Sequence, residues 1–431
     1  MELDEIKSYG EQIVTAGLGL YAESSFQSKV VIGPKRAGTI WAESRLGAAA
    51  RILGSTVREV AFGLQPVGGV GELVGIASRY LATLPAGHHR LSPHQVPTVP
   101  EEAHLHQMNE IVLAQEAQKM RADVRIIVEH NLGTTLQTVF DSVHETDHSY
   151  RRASVVAIDK ASGRQFARTS VVDVTDGKTP FPAAQLIEMG RKLEERVGAL
   201  ASRPKVPPGL YMCRFDSSAA ATLTHEVFGH LLEADNIRIA QDHLETGSKI
   251  APGFINIRDD GQDQDPWVRA AYDDLGNQTR STELICGGEV HNFLGASDSQ
   301  ANHRREHADQ KAMPRMRSIK LTSSLTTDLD LGMHKQPVLR IKEILSAMFL
   351  PRTGTFLLEL GESILVDGDR ATQFSGGRVR SSALELLCHI VTVGSSSASS
   401  APEYCFKKEQ KLRTLSSSPE LLIAAVPVVN Q

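Results

Sequence analysis

Only four cysteines, Cys213, Cys286, Cys388 and Cys405, are scattered through the 431 residues, and none forms a Cys-x-x-Cys pair. That argues against a disulfide framework and a zinc ribbon, and each thiol reads first as an ordinary reduced side chain. Excess positive charge is also missing. Lys and Arg number 46 against 51 Asp and Glu, a formal net charge of -5, which argues against nucleic acid as the main partner. No apolar run approaches the ~20 residues that span a bilayer. The opening MELDEIKSYG is acidic and polar, where a secretory leader would be basic and then apolar. The expectation is a cytoplasmic globular protein with no membrane association. The length exceeds what one core serves and implies two or three domains.

Along the chain, acidic helical segments near the start give way to a strand-like KVVIG and a Gly-rich VGGVGELVG. The glycine box lacks the lysine of a P-loop and the acidic partner of a dinucleotide fold, so it reads as a turn. The connector LPAGHHRLSPHQVPTVPEE marks a subdomain boundary near 85–102. Helical periodicity follows at 103–122. The segments VRIIVEHN, TLQTVFDSV, RASVVAIDK and RQFARTSVVDV then read as four strands, and FPAAQLIEMGRKLEERVGAL reads as a long amphipathic helix. SRPKVPPG, at 202–209, is a linker because its prolines sustain neither helix nor central strand. The resulting fold class is α+β: a mixed α/β N-terminal region over 1–205, followed by a strand-rich C-terminal domain over 206–431. GSSSASSAP, at 394–402, is low in complexity and reads as a mobile loop.

Two histidine motifs compete for a metal. HRREH, at 303–307, formally matches the inverted H-x-x-E-H zinc pattern. THEVFGH, at 224–230, places His225 and His230 five residues apart, one more than H-E-x-x-H. A four-residue step returns to within ~40° of the starting face of an α-helix, whereas five leaves the rings ~140° apart. Spacing therefore favours HRREH, and context reverses the ranking. HRREH is flanked by GASDSQAN and ADQKAMPRMRS, which makes it a solvated charged loop. His225, Glu226 and His230 sit in SAAATLTHEVFGHLLEAD, a buried helix in which polar side chains need partners. A π-type widening, or a tightening at the helix end, would bring the histidines together, and Gly229 permits either. Catalytic zinc takes three protein ligands. Glu233, Asp235, a distant histidine and the cysteines all remain open for the third place.

HEVFGHLLEAD resembles the H-E-x-x-G-H-x-x-E-x-D signature of the TldD/PmbA metallopeptidases. IRDDG at 257–261, DLGNQTRSTELICGGEVHNFL at 274–294 and ANHRREHADQKAMPRM at 301–316 are similar to that family's Asp-Asp-Gly turn, its hairpin and its Arg-Arg-Glu loop, in the same order. The resemblance covers most of 205–431 and implies that HRREH is not the zinc motif. It also implies a cysteine ligand near the C-terminus in a C-G-K-E-G-Q context. YCFKKEQ matches with Cys405, Lys407 and Gln410; Cys388 is the alternative. Where the family has small residues, this chain has Val227, Phe228, Tyr404 and Phe406, and bulk beside a metal is expected to narrow access.

The resemblance implies a zinc hydrolase of peptides or peptide-like amides, with His225, His230 and Cys405 holding Zn²⁺ and Glu226 as the base. It also implies paired subunits, identical or paralogous, with small or unfolded peptides added as a strand in a narrow channel. Two alternatives belong to other classes. One is a biosynthetic hydrolase trimming a peptide-like or thiol-conjugated natural-product intermediate, and the other is a structural or regulatory partner of a paralogous subunit. A regulator of nucleic acid or a topoisomerase is disfavoured by the acidic charge.

Overall fold

β-Branched runs such as VRIIV and ASVVAI form strands, because their stiff side chains pack well on a pleated surface. The computed structural model describes residues 182–429 except 241–243, 298–299, 308–309, 330–335 and 401. Before these it describes 18–33, 36–52, 58–63, 87–91, 123–139, 142–158 and 165–173. The glycine box and the helix expected at 103–122 lie outside the described residues.

The N-terminal sheet runs in the order Gly87–Leu91, Arg58–Gly63, Arg36–Ile52, Leu18–Gly33, Asp123–Val139, Tyr150–Ile158, Gln165–Asp173, with Ser142–Asp147 also paired to Asp123–Val139. VRIIVEHN and most of TLQTVFDSV are one continuous strand rather than two. The ladder passes through Gly133, which pairs with Ser25. The expected amphipathic helix is Ala183–Ala201. Its Leu186, Leu193, Val197 and Leu200 recur along one face and bury against Val124, Ile126, Ala153 and Val155. Four such side chains contribute roughly 6–12 kcal/mol of gross burial free energy.

The Pro-rich stretch at 202–208 runs irregularly into the second sheet, tied down where Val206 N–H donates to Gly376 O and Ser375 N–H donates to Pro204 O. This 14-stranded sheet is organised about Gln410–Val429, a 20-residue strand. Gly209–Phe215 lies between it and Val338–Ile341. At Asp216, clamped by Arg340 at 2.7 and 2.9 Å, the chain leaves the sheet and enters a buried helix, Ser217–Leu223. Asp216 is the hinge between scaffold and site.

Most of GSSSASSAP is strand rather than loop. Its first six residues end the strand Ile390–Ser399, and Ser397, Ala398 and Ser399 face Pro419, Ser418 and Ser417. Backbone amides make that ladder, so a run of small polar residues can carry it as well as apolar ones. No helix among the described residues is long and apolar enough to cross a membrane.

Candidate metal centre

After Leu223 the helix widens. Thr224–Gly229 is a π-helical turn in which the His230 N–H donates to the carbonyl of His225, five residues back. This widening resolves the spacing problem, because a π-turn returns to the same face after one more residue than an α-turn. The two rings meet edge to face with centroids 5.3 Å apart.

Cys405 arrives from the hairpin formed by Glu403–Lys407 and the start of Gln410–Val429. It is 2% exposed, and its Sγ lies 3.3 Å from His230 Nε2. The donor atoms of His225, His230 and Cys405 lie within 4.8 Å of one another, the one such group among the described residues. Two imidazoles and a thiolate suit zinc, leaving a fourth position for water or substrate. Cys388, the alternative, is exposed and contacts Ile250 O instead.

Electrostatics favour a thiolate beside protonated imidazoles, an ion-paired cluster whose histidines give up their protons when a metal binds. Burial pushes the Cys405 thiol up, but the His230 and His225 rings outweigh it and pull the thiol well below its usual range. A thiolate is the species that binds metal. Burial opposes charge on His230, yet Cys405 and Glu233 hold its pKa well above the ordinary value. Glu233 is fully buried and accepts from His230 Nδ1–H at 2.9 Å, which turns Nε2 toward Cys405 and fixes the tautomer a metal requires. Lys407 Nζ donates to Glu233 at 2.8 Å and to Asp235 at 2.6 Å. Glu233 therefore orients the His230 ring, and Asp235 anchors Lys407 and Lys408. On this geometry Glu233→Gln should weaken zinc binding by ~10–100-fold, read by competition with a chromophoric chelator. Unchanged affinity would remove Glu233 from that role.

Residues 208–429, just over half of the chain, match the PmbA/TldA metallopeptidase C-terminal domain. The chain belongs to the PmbA/TldD family. The fold is also similar to TldE from Thermococcus kodakarensis, with TM-score 0.66, 13% identity and coverage of 99% of this chain and 100% of that one. A putative modulator of a DNA gyrase from Thermotoga maritima gives 0.68 and 14%, covering 99% of both chains. A putative modulator of DNA gyrase from Bacteroides thetaiotaomicron gives 0.65 and 12%, again covering 99% of both. No curated protein is a significant sequence match.

Three expectations for this PmbA/TldD chain need correction. Val227 and Phe228 do not narrow the site, because both are fully buried in the hydrophobic core. Strand alternation turns Tyr404 and Phe406 to the face opposite Cys405; Tyr404 packs on Tyr150 and Trp267, and Phe406 is 70% exposed. HRREH is not solvated. His303, Arg304, Arg305 and His307 are all buried, their charges and dipoles met by groups of their own and neighbouring loops, such as Met316 O for Arg304 and Asp274 O for Arg305.

The bulky side chain that does meet the site is Phe349, stacked 6.5 Å from the His230 ring. No motif marks it, since it is one apolar residue in a strand of apolar residues.

Gly229 serves packing as well as helix shape. A Cβ there would sit 2.0 Å from Met316 Sδ and 2.8 Å from Ile319 Cδ1, both buried. Gly229→Ala is therefore expected to cost at least about 1–3 kcal/mol, read as a lower unfolding midpoint in excess zinc. A midpoint equal to wild type would show that the core yields freely.

Proposed function

We propose that the chain is a zinc-dependent hydrolase of peptide or peptide-like amide bonds. The observation that supports this reading best is the convergence of His225, His230 and Cys405 beside Glu226. Zinc held by those three side chains would polarise a scissile carbonyl and acidify a water. Glu226, whose Oε2 lies 4.0 Å from His230 Nε2, takes the proton from the attacking water and returns it to the leaving amine. Burial is the main cause that raises its carboxyl above the usual range, as a base working near neutrality requires. Glu233 and Lys407 keep His230 fixed while the proton moves.

The strand Ile344–Leu350 supports a peptide as substrate. It pairs on one side only among the described strands, with Thr355–Leu360, and carries Phe349 against His230. An extended peptide laid along the other edge would gain main-chain hydrogen bonds and bring its amides to the metal. Met348, Leu350 and Phe406 are exposed, apolar surface that a peptide or a second subunit would cover. A paired assembly, identical or paralogous, belongs to the same proposal.

Chelation tests it. Hydrolysis of an unstructured peptide library by the purified full chain should fall to background with 1,10-phenanthroline and return with added Zn²⁺. Hydrolysis that survives complete metal removal would contradict the reading.

A further inference from the structure

His303 and Arg304, the first two residues of the buried HRREH loop, pair with Pro314 and Met313 in a short antiparallel ladder. The chain that leaves this ladder meets both halves of the metal centre. Met316 is fully buried, and its Sδ fills the space beside Gly229 in the π-turn. Arg315, also fully buried, reaches the hairpin, where its Nη2 donates to the carbonyl of Cys405 at 2.6 Å. Two consecutive residues thus join the helix that carries His225 and His230 to the strand that carries Cys405.

The HRREH loop holds those two residues in place. The Arg315 N–H donates to Asn302 O at 2.9 Å, and Arg304 Nη1 donates to Met316 O at 2.6 Å. Glu306 grips the other strand of the hairpin, accepting the Lys411 N–H at 2.8 Å and donating its own N–H to Gln410 Oε1 at 3.2 Å. The loop is therefore fastened to Arg315, to Met316 and to the hairpin that Arg315 touches.

Arg315 is costly where it lies. A guanidinium without exposure gives up its hydration, and its Nε and Nη1 have no hydrogen-bond partner among the described residues. The Cys405 carbonyl is the one acceptor its side chain meets among them. An apolar side chain of similar volume would commonly stabilise a core as well. It would not supply a fixed hold on the backbone of a metal ligand.

We propose that Arg315 is a positioning residue of the metal centre and that the buried HRREH loop is its frame, the two together setting where the Cys405 thiolate stands relative to the imidazoles. The inference rests on His225, His230 and Cys405 being the metal's donors. Zinc holds its ligands at ~2.0–2.3 Å, and a donor that drifts by ~0.5 Å from its place weakens the site.

The test measures the Zn²⁺ affinity of the full chain by competition with a chromophoric chelator, and loads the same protein with Co²⁺, whose charge-transfer band reports a thiolate neighbour. Arg315→Met should lower zinc affinity by ~10-fold or more and weaken the cobalt–thiolate band at saturating metal. Arg315→Lys, which keeps a charge and a donor for the Cys405 carbonyl, should recover part of both. An arginine with a structural role alone would lower the unfolding midpoint of the metal-free protein and leave affinity and band unchanged in the folded chain. That result in Arg315→Met overturns the proposal. Should the variants fail to fold, amide exchange of the wild type decides: Zn²⁺ should slow exchange in 302–306 and 313–317 together with 224–230 and 403–412. Protection confined to the two ligand-bearing segments overturns the proposal while leaving the donors in place. Wild type that takes up no zinc contradicts the donor assignment itself, and the positioning role falls with it.

Discussion

Glu226→Gln should keep its zinc and lose peptide hydrolysis by ~10²–10⁴-fold, the usual worth of a positioned general base. Glutamine has the shape of glutamate and is expected to disturb little of a turn whose neighbours, His225, Val227 and Phe228, are all buried. It cannot accept a proton at working pH. Glu226 is not among the three converging donors, so the metal should stay. The loss should appear in kcat with KM little changed, because the carboxylate acts as the proton moves rather than when substrate binds. Zinc-loaded Glu226→Gln with wild-type turnover would exclude Glu226 as the base.

Cys405→Ala should reduce zinc affinity by more than the ~10–100-fold that follows loss of a supporting partner, and hydrolysis should disappear with the metal. The thiol is buried against His230 and is the one proposed ligand from outside the helix. Without it two histidines remain on one turn, a pair that does not complete a catalytic zinc site. The fold should persist, because the hairpin is also held by Arg315 on the Cys405 carbonyl and by Gln410, whose amide bridges Lys311 O and the Glu306 N–H. Wild-type zinc affinity in a folded Cys405→Ala would remove the thiolate from the site.

His225 and His230 were legible in the sequence because their neighbours are apolar. Polar residues inside SAAATLTHEVFGHLLEAD must be satisfied, and the five-residue offset left a π-turn as one of two repairs. Gly229 was read as conformational licence, whereas its contacts show a space filled by Met316. Cys405 was different in kind. Its Sγ meets a ring 175 residues away in the chain, and no spacing rule encodes a contact made by a strand crossing a sheet, so only the family resemblance pointed to it.

The α+β class and the helix Ala183–Ala201 followed from periodicity. The errors arose where composition stands in for pairing. Ser397–Ser399 form a ladder because backbone, not side chain, makes it. HRREH looked solvated because all five of its residues are charged or ionisable, yet buried carbonyls and carboxylates from other loops meet them. The bulk of Val227, Phe228 and Phe406 was legible, but the direction each points was not.

X-ray absorption at the zinc K-edge of the purified, zinc-loaded protein tests the central claim most directly. One sulfur at ~2.3 Å and two imidazole nitrogens at ~2.0–2.1 Å, in a protein carrying one zinc per chain, is the predicted result. Folded protein that takes up no zinc, or bound zinc without a sulfur neighbour, would contradict it.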